Sequence, residues 1–148
     1  MKCPICGSTG LKTTNTRSTK SGSQTWRRKE CKKCHSSITT YEKPDMGWLS
    51  IKYAAKNISL PYSRSLLNKS ILLVFDDEEL QSINIENVLD TIEQKIVSTR
   101  KTIITNFELI KIVLNTLSPI SANAAIKYLA DYDQSNNRRG LNKILKSL

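Results

Sequence analysis

Histidine is nearly missing from this 148-residue chain, which has one, His35. Without a second, and with no carboxylate evident to orient the first, no nucleophile–base pair can be assembled, and catalysis is not expected. Long apolar runs are missing as well. No stretch approaches the roughly 20 apolar residues that span a bilayer. The opening MKCPICGSTG lacks the apolar core of a signal peptide. A membrane span is therefore excluded and an intracellular location is expected, where disulfides are rare. Cysteine is missing after position 34, and acids are scarce before position 45. Residues 1–45 hold ten Lys and Arg against three Asp and Glu, whereas the other 103 hold thirteen against ten. The first third thus carries +7 of the net +10. So focused a field points to a polyanionic partner, nucleic acid or an anionic membrane face. A merely soluble basic surface is the plainer alternative. No internal repeat or low-complexity segment is present.

What is there begins with the cysteines. Cys3, Cys6, Cys31 and Cys34 form the pattern C-x2-C-x24-C-x2-C. A two-residue gap lets both thiolates of a pair turn toward one point, and two such knuckles complete a tetrahedron. Zinc favours that closed all-sulfur shell, which keeps no open position for chemistry. Gly7 follows Cys6, where a knuckle turn favours a residue tolerant of positive φ. Iron accepts the same four ligands, and two disulfides or a redox C-x2-C pair are the other readings. His35 adjoins Cys34 but finds the metal already satisfied, so it is expected to be an exposed bystander.

Between the knuckles the chain is rich in Ser and Thr, which suits two short strands around a turn near Ser21–Ser23. SSITTYE, residues 36–42, alternates like a third strand with Ile38 and Tyr41 as its bulky members. The result is a zinc ribbon. Its apolar core is so small that metal binding must supply most of the folding free energy, on the order of 10 kcal/mol. A strand through Trp26–Lys29 places Arg27 and Lys29 on one face and Trp26 and Arg28 on the other. Lys12, Arg17, Arg27, Arg28, Lys29 and Lys33 are candidate DNA contacts. Cations of this kind fix a duplex through its phosphates, and arginine can read guanine. Some of the basic residues around the second knuckle can instead neutralise the metal–thiolate centre. Trp26 can stack on a base or sugar, or cap the ribbon's core.

The remainder reads as mainly helical. Ser63 can cap a helix through Phe75 with Leu66, Leu67, Ile71 and Val74 on one stripe. Asp76–Glu79 reads as its end and a connecting loop. A second helix from about Asn84 carries Val88, Leu89, Ile92, Ile96 and Val97. Thr105–Glu108 is a capping box opening a third through Leu117. Pro119 and Ser121 restart a fourth, carrying Ala125, Ile126, Leu129 and Tyr132. These stripes are read as core. Asp131 and Asp133 face different ways on a helix and form no carboxylate pair. After SNNRRG, residues 135–140, the tail places Leu141, Ile144, Leu145 and Leu148 on one stripe. It is too short to be stable alone, so it either docks back or contacts another copy.

Several of these residues carry a resemblance. CPICG (3–7), Lys12, Arg17, Gly22, RRKEC (27–31), Cys34 and TTYE (39–42) resemble the N-terminal zinc ribbon of the NrdR family, over about 42 residues without a gap. The departures are Asn15 and Thr16 where the family has Asp and Ser, Trp26 in place of an arginine, and Ser37–Ile38 for Arg–Phe. NrdR proteins are bacterial transcriptional repressors of ribonucleotide reductase operons. The resemblance therefore implies a cytoplasmic, DNA-binding repressor with structural Zn2+ that acts as a homo-oligomer on double-stranded DNA.

In that family the ribbon precedes an ATP-cone, a helical domain opened by a β-hairpin that binds ATP or dATP. GWLSIKYAAKNISLPYS, residues 47–63, can form the hairpin, with SIK (50–52) similar to the family's V-V-K. Asn57 stands where the family has its turn glycine, with about two extra residues before Pro61, and Leu66 stands where it has a lysine. Lys52, Lys56 and Arg64 are the candidate phosphate partners, or else solvated cations. The expected fold is α+β: a ribbon at 1–45, an ATP-cone-like domain at 46–135 and an amphipathic tail at 136–148. The alternatives are a divergent protein with this architecture that has lost nucleotide sensing, and a zinc-ribbon protein accessory to a polymerase or bound to RNA.

Overall fold

The computed structural model describes residues 1–19 and 24–136, with the backbone alone at Ala55 and 132–136. The expected turn at Ser21–Ser23 and the apolar stripe of the tail lie outside the described residues. The fold is α+β, in two compact units that divide after Asp45.

The first unit is a three-stranded antiparallel sheet in the order β1 (Leu11–Ser18), β2 (Thr25–Cys31), β3 (Ser37–Glu42). Its register sets Trp26 between Arg17 and Tyr41, and Arg28 between Asn15 and Thr39. A bulge at Thr14 shifts the β1 register, and the Thr14 hydroxyl donates to the Arg28 carbonyl at 3.2 Å. Such a bulge re-aims the side chains beyond it. Here it brings Asn15 and Arg17 onto the same face as Arg28 and Trp26. Nothing in the Thr- and Ser-rich sequence marks where the extra residue falls.

The second unit opens with a short 3-10 turn at Met46–Trp48 and the expected hairpin, β4 (Ser50–Tyr53) and β5 (Ile58–Pro61). Asn57 closes its turn at φ 50°, a left-handed position that asparagine tolerates and that glycine would otherwise take. Helices follow at α1 (Arg64–Leu72), α2 (Asp77–Ser82), α3 (Ile85–Ser98), α4 (Asn106–Leu117) and α5 (Ala122–Asn136). The expected caps Ser63 and Thr105 accept from the N–H groups of Leu66 and Glu108, and Asn84, at the expected start of α3, accepts from Asn87.

Four details depart from the sequence reading. Asp76–Glu79 is not a loop, because Asp76 and Glu79 form a capping box of their own and start α2. A third strand, β6 (Ile103–Thr105), pairs in parallel with β4 and sends Ile104 into the core. The helix expected through Phe75 ends at Leu72; its stripe holds for Leu67 and Ile71, with Val74 buried just past the end, but Leu66 is 70% exposed. On α5 the expected Ala125 and Leu129 pack against the core beside buried Ala124, but Ile126 is exposed, and the side chain of Tyr132 lies outside the described residues. The core joins Leu49 and Ile51 of the hairpin region with Ile71, Leu89, Ile92, Ile96, Val113 and Leu117 of the helices. No helix among the described residues is long and apolar enough to cross a membrane.

Candidate metal centre and nucleic-acid interface

The two knuckles are built alike. In the first, the Gly7 N–H donates to Cys3 O at 2.9 Å and the Cys3 N–H to Ser8 O at 2.7 Å. In the second, His35 N–H donates to Cys31 O at 2.8 Å and Cys31 N–H to Ser36 O at 3.0 Å. Gly7 has φ 72° and His35 has φ 56°. His35 therefore occupies the left-handed position that Gly7 fills in the first knuckle. Its ring is exposed and lies 3.7 Å from Glu30. It is a bystander to the metal but not to the turn, a role that its place directly after C-x2-C signals in the sequence.

The turns bring the sulfurs of Cys3, Cys6, Cys31 and Cys34 within 4.8 Å of one another. Cys3 and Cys34 Sγ are 3.8 Å apart, and Cys6 and Cys31 Sγ are 3.6 Å apart. A disulfide needs about 2.05 Å, so all four are free thiols. A tetrahedral shell with Zn–S near 2.3 Å needs S···S near about 3.8 Å, which these pairs match. The electrostatics also fit a cation. Around Cys34, the Ser36 hydroxyl at 3.2 Å and the Ser36 backbone N–H lower the thiol to about 6. Backbone N–H groups of Cys34 and Lys33 lower Cys31. Cys6, although the Ser8 N–H favours its thiolate, is driven up to about 12 by desolvation and the three other sulfurs. Four thiolates this close repel one another, and a dication removes that conflict. Zinc is the structural metal of this cluster.

Strand alternation sorts the candidate DNA contacts. Lys12, Arg17, Trp26 and Arg28 share one face with Tyr41, which is 66% exposed. Arg17 lies over the Trp26 ring at 6.0 Å from its centroid, and Arg28 Nε donates to Ser37 Oγ at 2.8 Å. Arg27 and Lys29 take the opposite, less exposed face with Leu11, Cys31 and Ile38. There the Arg27 guanidinium grips Glu42 through two bonds of 2.9 and 3.1 Å, raising the arginine and lowering the carboxyl. Lys33 is exposed in the second knuckle. The Glu42 partner of Arg27 is visible only once the strand register is known.

The candidate phosphate partners are not gathered at one place. Lys52 lies in β4 between Ile51 and Tyr53, so it points away from the side those two present. Lys56 is exposed in the hairpin turn. Arg64 faces three carboxylates of α3: Glu86 at 2.6 Å, Asp90 at 2.8 Å and Glu93 in close contact. Tyr62 donates to the other Glu93 oxygen at 3.0 Å, and burial together with that carboxylate keeps its hydroxyl protonated well above the ordinary tyrosine range. The i, i+4, i+7 spacing of those three acids was the sequence signal for this cluster.

Residues 1–42 match a zinc-ribbon family model described as "Transcriptional repressor NrdR-like, N-terminal domain". Over 134 residues the chain is 30% identical to "Transcriptional repressor NrdR" of Gloeothece citriformis, covering 90% of this chain and 74% of that one. The protein of the same name from Clostridium botulinum strain Loch Maree is 28% identical over 149 residues, covering 100% and 97%. That of Sulfurihydrogenibium is 26% identical over 147 residues, covering 99% and 97%. On its ribbon and on this full-length likeness, the chain belongs to the NrdR family.

Proposed function

We propose that this protein is a zinc-dependent transcriptional repressor that binds double-stranded DNA through the exposed face of its ribbon sheet. The observation that carries this reading is the convergence of Lys12, Arg17, Arg28 and Trp26 on one solvent-facing surface. Zinc orders the strands that present them, the cations meet phosphates, and the arginines can reach base edges. Arg27 and Lys29 support the same site from the opposite face, where Arg27 holds the last residue of β3. The role is one of binding rather than catalysis, and it places the protein with its DNA in the cytoplasm. Relatives bearing the name of transcriptional repressor support it.

One ribbon reads only a short site, so the second unit is assigned the task of self-association. Leu66 on α1 and Leu73 at its C-cap are exposed and apolar, which suits contact between copies. Sedimentation of the full chain should show a species larger than a monomer, and a strict monomer even on DNA would count against this assignment. Random-sequence selection on duplex DNA tests the function itself. A recovered motif that depends on zinc supports a repressor, whereas no motif and binding that vanishes steeply with salt would favour a general nucleic-acid or polymerase accessory.

A further inference from the structure

Two arginines adjoin in β2, and the sheet uses them differently. Arg27 gives Nε and Nη2 to the two oxygens of Glu42, at 2.9 and 3.1 Å. Arg28, exposed on the other face, gives only Nε, to Ser37 Oγ at 2.8 Å. Among the described residues its terminal nitrogens have no partner and are left to solvent.

The second knuckle sets Ser37 in place through its neighbour. The Ser36 carbonyl accepts from Cys31 N–H at 3.0 Å, and the Ser36 hydroxyl is 3.2 Å from Cys34 Sγ. Alternation then turns the next residue, Ser37, to the exposed face at the first position of β3. There it pairs with Glu30 and lies diagonal to Arg28, which pairs with Thr39.

A free arginine on a surface samples many rotamers, and that freedom is lost when the guanidinium meets a phosphate. The bond to Nε removes part of it beforehand. It also decides which edge remains. With Nε taken, Nη1 and Nη2 face outward together, a pair of donors matched to two phosphate oxygens.

We infer that Ser37 is a positioning residue for Arg28, holding the guanidinium end-on toward the DNA backbone before a duplex is bound. The consequence for affinity rests on the DNA reading of this face, whereas the bond itself belongs to the free protein.

Two measurements on the zinc-loaded full chain test it. Without DNA, the Nε–H proton of Arg28, followed by heteronuclear NMR, should exchange with water several-fold more slowly in the parent than in Ser37→Ala. On duplex DNA, Ser37→Ala is expected to bind about three- to tenfold more weakly, the cost of ordering one long side chain. Its slope of log affinity against log salt should stay parental, because the cation that meets the phosphate is still there. Ser37→Thr should restore binding, and in an Arg28→Ala background Ser37→Ala should change nothing.

Equal Nε–H exchange in parent and Ser37→Ala would overturn the inference, as would a Ser37→Ala protein that binds as tightly as the parent. So would an equal loss in the Arg28→Ala background, which would make Ser37 a contact in its own right. A parent that binds no duplex would sink the DNA reading, and the positioning role with it, even where the exchange difference stands.

Discussion

Arg17 and Trp26, direct cross-strand partners in the ribbon, are stacked, with the guanidinium carbon 6.0 Å from the centre of the indole ring. The stack sets a long, flexible cation against the indole on the face that also carries Lys12, Arg28 and Tyr41. The half-buried indole lies on the same face of the sheet as Arg17 and Arg28.

Trp26 should therefore contribute to DNA affinity through Arg17. Trp26→Ala is expected to weaken DNA binding about two- to fivefold, the size of an exposed cation–π contact. Trp26→Phe should recover part of that loss while the far-ultraviolet spectrum and zinc content stay unchanged. Arg17→Ala in a Trp26→Ala background should cost less than Arg17→Ala alone. Full additivity in this double-mutant cycle, measured by anisotropy, would show that the stack does not act.

His35 serves the second knuckle through its backbone. At φ 56° it occupies a conformation that glycine adopts without cost. His35→Gly should keep one zinc per chain and resist a competing chelator at least as well as the parent. Loss of zinc from this variant would make the imidazole a ligand. Cys31→Ser should release the metal and unfold the ribbon, because the thiolates are its main source of stability.

Acid should weaken the helical unit through its two capping boxes. The Ser121 hydroxyl and then the Asp76 backbone N–H hold Glu79 below 4.5, and the Lys101 ammonium and then the Thr105 N–H do the same for Glu108. With folded values depressed, the unfolded chain takes up protons first. Each carboxylate thus contributes stability above the ordinary value of 4.5 that is lost as pH falls through its lower folded one. Glu108→Gln should be destabilised near neutrality, and its deficit in urea midpoint should shrink toward pH of about 3. A pH-independent deficit would refute the electrostatic part. Thr105→Ala, which removes the other half of the box, should cost about 1 kcal/mol.

The parts of the fold that were legible are those fixed by local chemistry. The C-x2-C spacing announced the knuckles, the Ser and Thr runs announced strands, and Ser63, Asn84 and Thr105 marked three helix starts. What escaped was set at a distance. The parallel pairing of β6 with β4 joins residues about fifty positions apart, and a three-residue strand carries no period of its own. Leu66 matches the apolar stripe of α1 by spacing, yet faces solvent because the hairpin beside it leaves a cavity rather than a wall. The candidate site was partly legible in the same sense. Alternation separated Arg28 from Arg27, but only the register revealed that Glu42 holds Arg27 and that α3 holds Arg64 with three acids.

The central claim, that the face bearing Arg28 meets DNA while that bearing Arg27 braces the sheet, is tested most directly by salt titrations of duplex DNA binding for Arg28→Ala and Arg27→Ala. If the account holds, Arg28→Ala weakens binding and reduces the slope of log affinity against log salt by about 1, the signature of one lost phosphate contact. Arg27→Ala should keep the parental slope and show its effect in ribbon stability instead. An unchanged slope for Arg28→Ala together with a reduced one for Arg27→Ala would contradict it, and would put the DNA on the other face.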